Sequence, residues 1–97
     1  MTLPTLTKSA LERIGEITAK QENEKKFLRV AILGGGCSGF QYDLKLDDKL
    51  VDEDIKILEE NQKIIAVTDE TSLPFLENAQ IDFVRELGAS YFKVVNP

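Results

Sequence analysis

From Phe40 to Asp47 apolar and polar residues alternate without a break, Phe40, Tyr42, Leu44 and Leu46 against Gln41, Asp43, Lys45 and Asp47. Successive side chains of a strand point to opposite faces, so this run predicts a strand with the apolar set in the core and the polar set in water. Its register is tightly specified, because a slip of one residue would invert every side chain. Directly before it stand Gly34-Gly35-Gly36-Cys37-Ser38-Gly39, holding four of the six glycines and the only cysteine, and before those the strand-like run Phe27 to Leu33. Glycine enters conformations with positive φ at little steric cost, so the cluster reads as the tip of a hairpin. The one thiol is thereby placed on a presented loop, where ligands and reactive groups are commonly carried.

A lone cysteine often serves as a small buried hydrophobe. The neighbours of Cys37 offer almost no apolar side chain to bury it, which favours a functional thiol. A phosphate-binding loop would need Lys-Ser or Lys-Thr after the last glycine and then a helix. Phe40 and Gln41 stand there instead, and a strand continues. A cysteine nucleophile usually needs a base, most often histidine, and the sequence has no histidine. A phosphatase-type cysteine would want an arginine close after it, but the next is Arg85. The chain is therefore not expected to be an enzyme. Metal or cluster ligation and redox sensing remain, and a soft thiolate suits iron-sulfur clusters, zinc and copper(I). One thiolate cannot complete a four-coordinate site, so other ligands must come from a second subunit, another segment or a small thiol.

Ninety-seven residues make one domain, residues 1–97, near the small end of what can bury a core unaided. A single cysteine cannot form an internal disulfide, and no basic segment followed by an apolar run marks a secretory signal, so a reducing, cytoplasmic location is expected. Aliphatic runs such as Ile64 to Val67 are far too short to span a bilayer. Seventeen acidic against twelve basic side chains give a net charge of −5. That sign disfavours nucleic acid and anionic membranes as partners.

In chain order, Thr5 or Thr7 is a plausible N-cap, with Ser9 and Glu12 as a competing capping box. Ala10, Leu11, Ile14 and Ile17 come next at helical spacing, predicting a helix over about residues 8–20 that covers one face of a sheet. Gln21 to Lys26 reads as a loop. Leu28, Val30 and Ile32 form one face of the first strand and Phe27, Arg29, Ala31 and Leu33 the other, both at least partly buried. Asp47 to Asp54 carries five acids in eight residues. It lacks calcium-loop spacing and reads as a solvated loop. Ile55, Ile57 and the run Ile64 to Thr68 predict two strands joined by a turn in which Asn61 is left-handed. Asp69 or Ser72 is expected to cap a short helix ending near Glu77, with Pro74 in its first turn and Asn78 as a left-handed terminator. Strands over Gln80 to Leu87 and Tyr91 to Val95, separated by Gly88-Ala89-Ser90, complete an α+β fold with a β-rich, sandwich-like core.

Leu28-Arg29-Val30, then Gly34 to Tyr42, then Asp69-Glu70-Thr71-Ser72, Ile81-Asp82-Phe83 and the closing Asn96-Pro97 together resemble the A-type iron-sulfur carrier family (IscA, SufA, HesB-like). The resemblance covers nearly the whole chain, and its glycine-cysteine string between two strands is specific. It implies a HesB-like sandwich of six or seven short strands with an N-terminal helix and one short internal helix. It also implies homodimers or tetramers, and exchange of iron or a [2Fe-2S] cluster with scaffold or donor proteins and apo-protein acceptors. Cys37 carries over as the metal ligand, with Gly34, Gly35, Gly36, Ser38 and Gly39 as its supporting loop. Members of the family usually carry a Cys-Gly-Cys tail a few residues beyond the Asn-Pro, whereas this sequence stops at Pro97. Either that tail was cut away or the chain is a natural short variant. Restoring it is expected to strengthen cluster binding, and its absence is the main support for the alternative of a cluster-free, thiol-regulated interaction domain. Asn78 stands where the family has a glycine, a mild change, since asparagine is the next best left-handed cap.

Overall fold

The computed structural model describes residues 3–36 and 39–95, with the side chains of residues 21, 35, 36, 39 and 40 outside that description. In chain order its elements are β1 (Thr5–Leu6), α1 (Lys8–Thr18), β2 (Phe27–Gly36), β3 (Gly39–Asp47), β4 (Asp54–Glu60), β5 (Lys63–Asp69), β6 (Gln80–Glu86) and β7 (Ala89–Val95). Single 3-10 turns lie at Gln21–Asn23 and Leu73–Phe75. The strands form a three-stranded sheet ordered β1-β6-β7 and a four-stranded sheet ordered β3-β2-β5-β4. Among the described residues no helix is long and apolar enough to cross a membrane.

Helix α1 starts at Thr7, whose hydroxyl accepts from the Ala10 amide at 3.2 Å and donates to Asp82 at 2.6 Å. One side chain thus satisfies an orphan amide at the helix start and ties the helix to β6. Ser9 does not form the competing cap, because its hydroxyl donates to the Phe83 carbonyl at 2.7 Å. The expected apolar stripe is realised, with Ala10 and Ile14 buried and Leu11 and Ile17 partly so. Ile14 joins Leu28 and Val30 of β2, Ile57 of β4, Ala66 of β5, Ile81 of β6 and Leu76, just after the second 3-10 turn, in one buried cluster. The core therefore sits where the helix and the inner faces of both sheets meet.

The β2–β3 pairing carries the alternation read from the sequence. Tyr42 and Leu44 pack against the core while Gln41 and Lys45 are exposed, with Asp43 half-buried. The side chain of Phe40, the first residue of the expected apolar set, lies outside the described residues. The β4–β5 hairpin turns on Asn61 and Gln62, at φ 51° and 65° between the paired Glu60 and Lys63. Both central residues are left-handed, the conformation that favours Asn-Gly in two-residue hairpins. Asn61 fits the turn and Gln62 does not. Gln62→Gly is therefore expected to stabilise the protein by about 0.5–1 kcal/mol in urea unfolding, and a loss of stability would show that the turn is not built this way.

Three elements differ from the sequence expectation. The turn between β6 and β7 is tighter than the expected Gly88-Ala89-Ser90, since Ala89 and Ser90 already pair with Glu86 and Arg85 and only Leu87 and Gly88, the latter at φ 84°, stand between the strands. The helix expected between Ser72 and Glu77 is only the 3-10 turn Leu73–Phe75, since Pro74 has no amide to continue a helix and Asn78, at φ 63°, ends it. Strand β1 has no counterpart in the sequence reading. Two residues are too few to show a period, yet Thr5 and Thr7 donate their amides to Ala79 and Ile81 and lay the N-terminal segment parallel to β6.

Candidate functional site at the glycine hairpin

The long β2–β3 hairpin holds the glycine cluster at its far end. Phe27 pairs with Asp47 and the ladder runs residue by residue to Ile32 opposite Tyr42. A bulge comes next, leaving Leu33 without a partner and two-thirds exposed, after which Gly34, Gly35 and Gly36 pair with Gln41, Phe40 and Gly39. Bulges strengthen local twist and re-aim the strand beyond them. Cys37 and Ser38, which lie between Gly36 and Gly39 in sequence, fall outside the described residues, so the ligand expected at Cys37 and its neighbour Ser38 carry no geometry. Among the described residues no group of three or more cysteine, aspartate or glutamate side chains is placed to hold a metal ion.

The root of this hairpin is locked from two sides. On the inner side, β5 pairs with β2 only at Leu28 and Arg29. Beyond that, side chains replace the ladder. The buried Thr68 hydroxyl donates to the Val30 carbonyl at 2.7 Å, and the Ser72 hydroxyl accepts from the Ile32 amide at 2.9 Å. Asp69 orients this segment by accepting from the Ser72 amide at 2.7 Å. The Asp69-Glu70-Thr71-Ser72 string therefore anchors the strand that leads to Gly34, a role without any local sequence signal.

On the outer side stands Arg29. Its guanidinium donates to both carboxylate oxygens of Asp54 at 2.6 and 2.8 Å, to Asp47 at 2.9 Å and to the Lys49 carbonyl at 2.9 Å. It also lies over the Phe27 ring, 5.6 Å from the centroid. The Asp54 side chain is only 2% exposed, and it accepts from the Val51 amide as well. Two-pronged arginine-carboxylate pairs are the strong form of the ion pair. The bond from Arg29 holds the Asp54 and Asp47 carboxyls below the usual carboxylate range, and the bonds to Asp54 and Asp47 push the guanidinium further up against the opposing effect of burial. The acidic run 47–54 is thus a solvated loop only in part: Asp48, Asp52 and Glu53 are exposed, while Asp47 and Asp54 clamp the loop to β2.

The family described as iron-sulphur cluster biosynthesis matches residues 2–97 of this chain. The iron-sulfur cluster insertion protein ErpA of Mannheimia succiniciproducens is 41% identical over 98 residues, spanning 100% of this chain and 85% of that protein. The crystal structure of Escherichia coli SufA, involved in biosynthesis of iron-sulfur clusters, has a TM-score of 0.77 at 31% identity, covering 96% of this chain and 79% of that one. A crystal structure of IscA with the [2Fe-2S] cluster shares the fold, with a TM-score of 0.66 at 20% identity over 95% of this chain and 80% of that one. The α+β architecture, the glycine-cysteine hairpin and these likenesses agree, and the chain belongs to the iron-sulphur cluster biosynthesis family of A-type carriers.

Proposed function

We propose that this chain is a carrier of iron or a [2Fe-2S] cluster, taking its cargo from an assembly partner and delivering it to apo-proteins, with Cys37 as the protein ligand. What supports this reading is the sequence position of the only thiol, between Gly36 and Gly39, which pair with each other at the end of a hairpin whose root is locked, in a chain of this family. Its relatives named as cluster insertion proteins support the same class of work. Thiolate is the soft ligand that cluster iron prefers, and carboxylates, the other anionic groups of this chain, are poorly matched to it. One thiolate per chain leaves a four-ligand cluster incomplete, so two copies share the cargo, with small thiols filling the remaining positions. Gly34, Gly35, Gly36, Ser38 and Gly39 support the ligand by leaving the hairpin end free of bulky side chains that would keep a second copy or a cluster away. The chain carries and hands over; it does not catalyse a reaction of its own.

Anaerobic reconstitution tests this. Iron and sulfide per chain, with the visible absorption spectrum, are expected to show a labile cluster that glutathione strengthens. Cys37→Ser is expected to reduce binding to background while leaving the unfolding midpoint unchanged. A stable cluster in Cys37→Ser would remove Cys37 as the ligand.

A further inference from the structure

Between the clamped loop and the 69–72 segment lies a cleft of about 420 Å³, a volume within the range of ordinary ligand sites. Its apolar lining is Ile32, on the strand leading to the glycine hairpin, and Val51, which is 56% exposed. Around these stand Glu53 and Glu70, both exposed, with Asp69 and the Arg29–Asp54 pair. The lining holds four carboxylates against one guanidinium, and that guanidinium is already committed to Asp54 and Asp47. The geometry points to a docking groove: we propose that this cleft receives an apolar segment bearing lysine or arginine, belonging to a protein with which the chain exchanges its cargo.

The sign and shape of the site select this occupant. Anionic partners are repelled by the cleft as they are by the net charge of −5. A bound cation is disfavoured, since among the described residues no three acidic or thiol groups converge on a metal position. A symmetric contact between two copies at this cleft would set one carboxylate rim against the other, which costs affinity, whereas the cargo-sharing contact proposed above lies at the hairpin end. A basic and apolar segment instead meets the exposed Val51 and the half-buried Ile32 with its aliphatic side chains and the Glu53–Glu70 rim with its cations. Because Arg29 holds the loop in place, little ordering is needed on binding. The inference rests on the carrier reading for the partner's identity, but not for the binding itself, which needs no cargo.

The test is an NMR titration of the isotope-labelled, cluster-free chain with a short blocked peptide of alternating lysine and leucine. Amide shifts are expected to concentrate at Val51, Glu53, Glu70 and Thr71. The double variant Glu53→Lys/Glu70→Lys, which alters two exposed side chains and should keep the fold, is expected to weaken binding roughly tenfold, and Val51→Ser to weaken it as well. Cys37→Ser is expected to bind the peptide as the parent does, which separates this inference from the ligand assignment. Shifts centred elsewhere, equal binding of a peptide with glutamate in place of lysine, or equal binding by the double variant would each overturn it. So would equal binding of an oligolysine without leucine, which would reduce the effect to diffuse charge attraction.

Discussion

Arg29→Ala is expected to cost about 3–5 kcal/mol of stability, the range found when one partner of a buried ion pair is removed and the other is left uncompensated. The group left behind is Asp54, 2% exposed, stripped of two short bonds and a neighbouring positive charge. The pH dependence gives the sign of the effect independently. Asp54 and Asp47 titrate below their ordinary range in the folded protein, chiefly through the bond from Arg29, so their contribution is fully present above the unfolded carboxylate value of about 3.9, starts to fall there and is lost as pH drops on through the lower folded values. In the variant Asp54 keeps its burial and the bond from the Val51 amide but loses the bond that chiefly holds its carboxyl down, so less acid-sensitive stability remains to be lost. The gap between parent and variant should therefore narrow as the solution is acidified from neutrality toward pH 3. Urea unfolding across that range checks both points. A cost below about 1 kcal/mol, or a gap that widens in acid, would show that the cluster is an ordinary exposed pair.

The features legible in the sequence are local and periodic. The period-two run of β3 carries its own register, and Asn61 and Asn78 are found left-handed where turn chemistry puts them. The Arg29 clamp is not legible, because its partners lie 18 and 25 residues away and the five acids around them look alike in one dimension. Only the tertiary path of the loop makes Asp47 and Asp54 differ from Asp48 and Asp52. Thr68 and Ser72 hide their roles for a similar reason. A hydroxyl that replaces a missing ladder bond is indistinguishable in sequence from one that caps a helix, and where the sequence predicts a helix cap Ser72 instead holds β2. For the glycine cluster the situation is reversed: Cys37 is proposed as a ligand from the residues alone, a lone thiol among glycines, while Cys37 itself lies outside the described residues.

Leu28→Ala is expected to cost about 4 kcal/mol, close to the stability of a marginal small domain. Leu28 is fully buried on β2, paired with Leu46 on one side and with Ala66 on the other. Its side chain belongs to the cluster where Ile14 of the helix, Val30, Leu76 and Ile81 converge. A central strand held by neighbours on both sides cannot move inward to fill the space, and the facing Ala66 is already small, so the cavity should persist and the cost should lie toward the upper part of the leucine-to-alanine range. For a domain of this size the melting temperature is expected to fall by roughly 15–30 °C. Leu33→Ala, on the same strand but at a position two-thirds exposed, is expected to change stability by less than about 0.5 kcal/mol. Equal small effects at the two positions would mean that the sheets do not close on the helix at Leu28. Leu28 lies well back along β2 from Gly34, so at a temperature where Leu28→Ala remains folded it should take up iron as the parent does; a loss of uptake by the folded variant would mean that the core sets the geometry of the hairpin end and not only its stability.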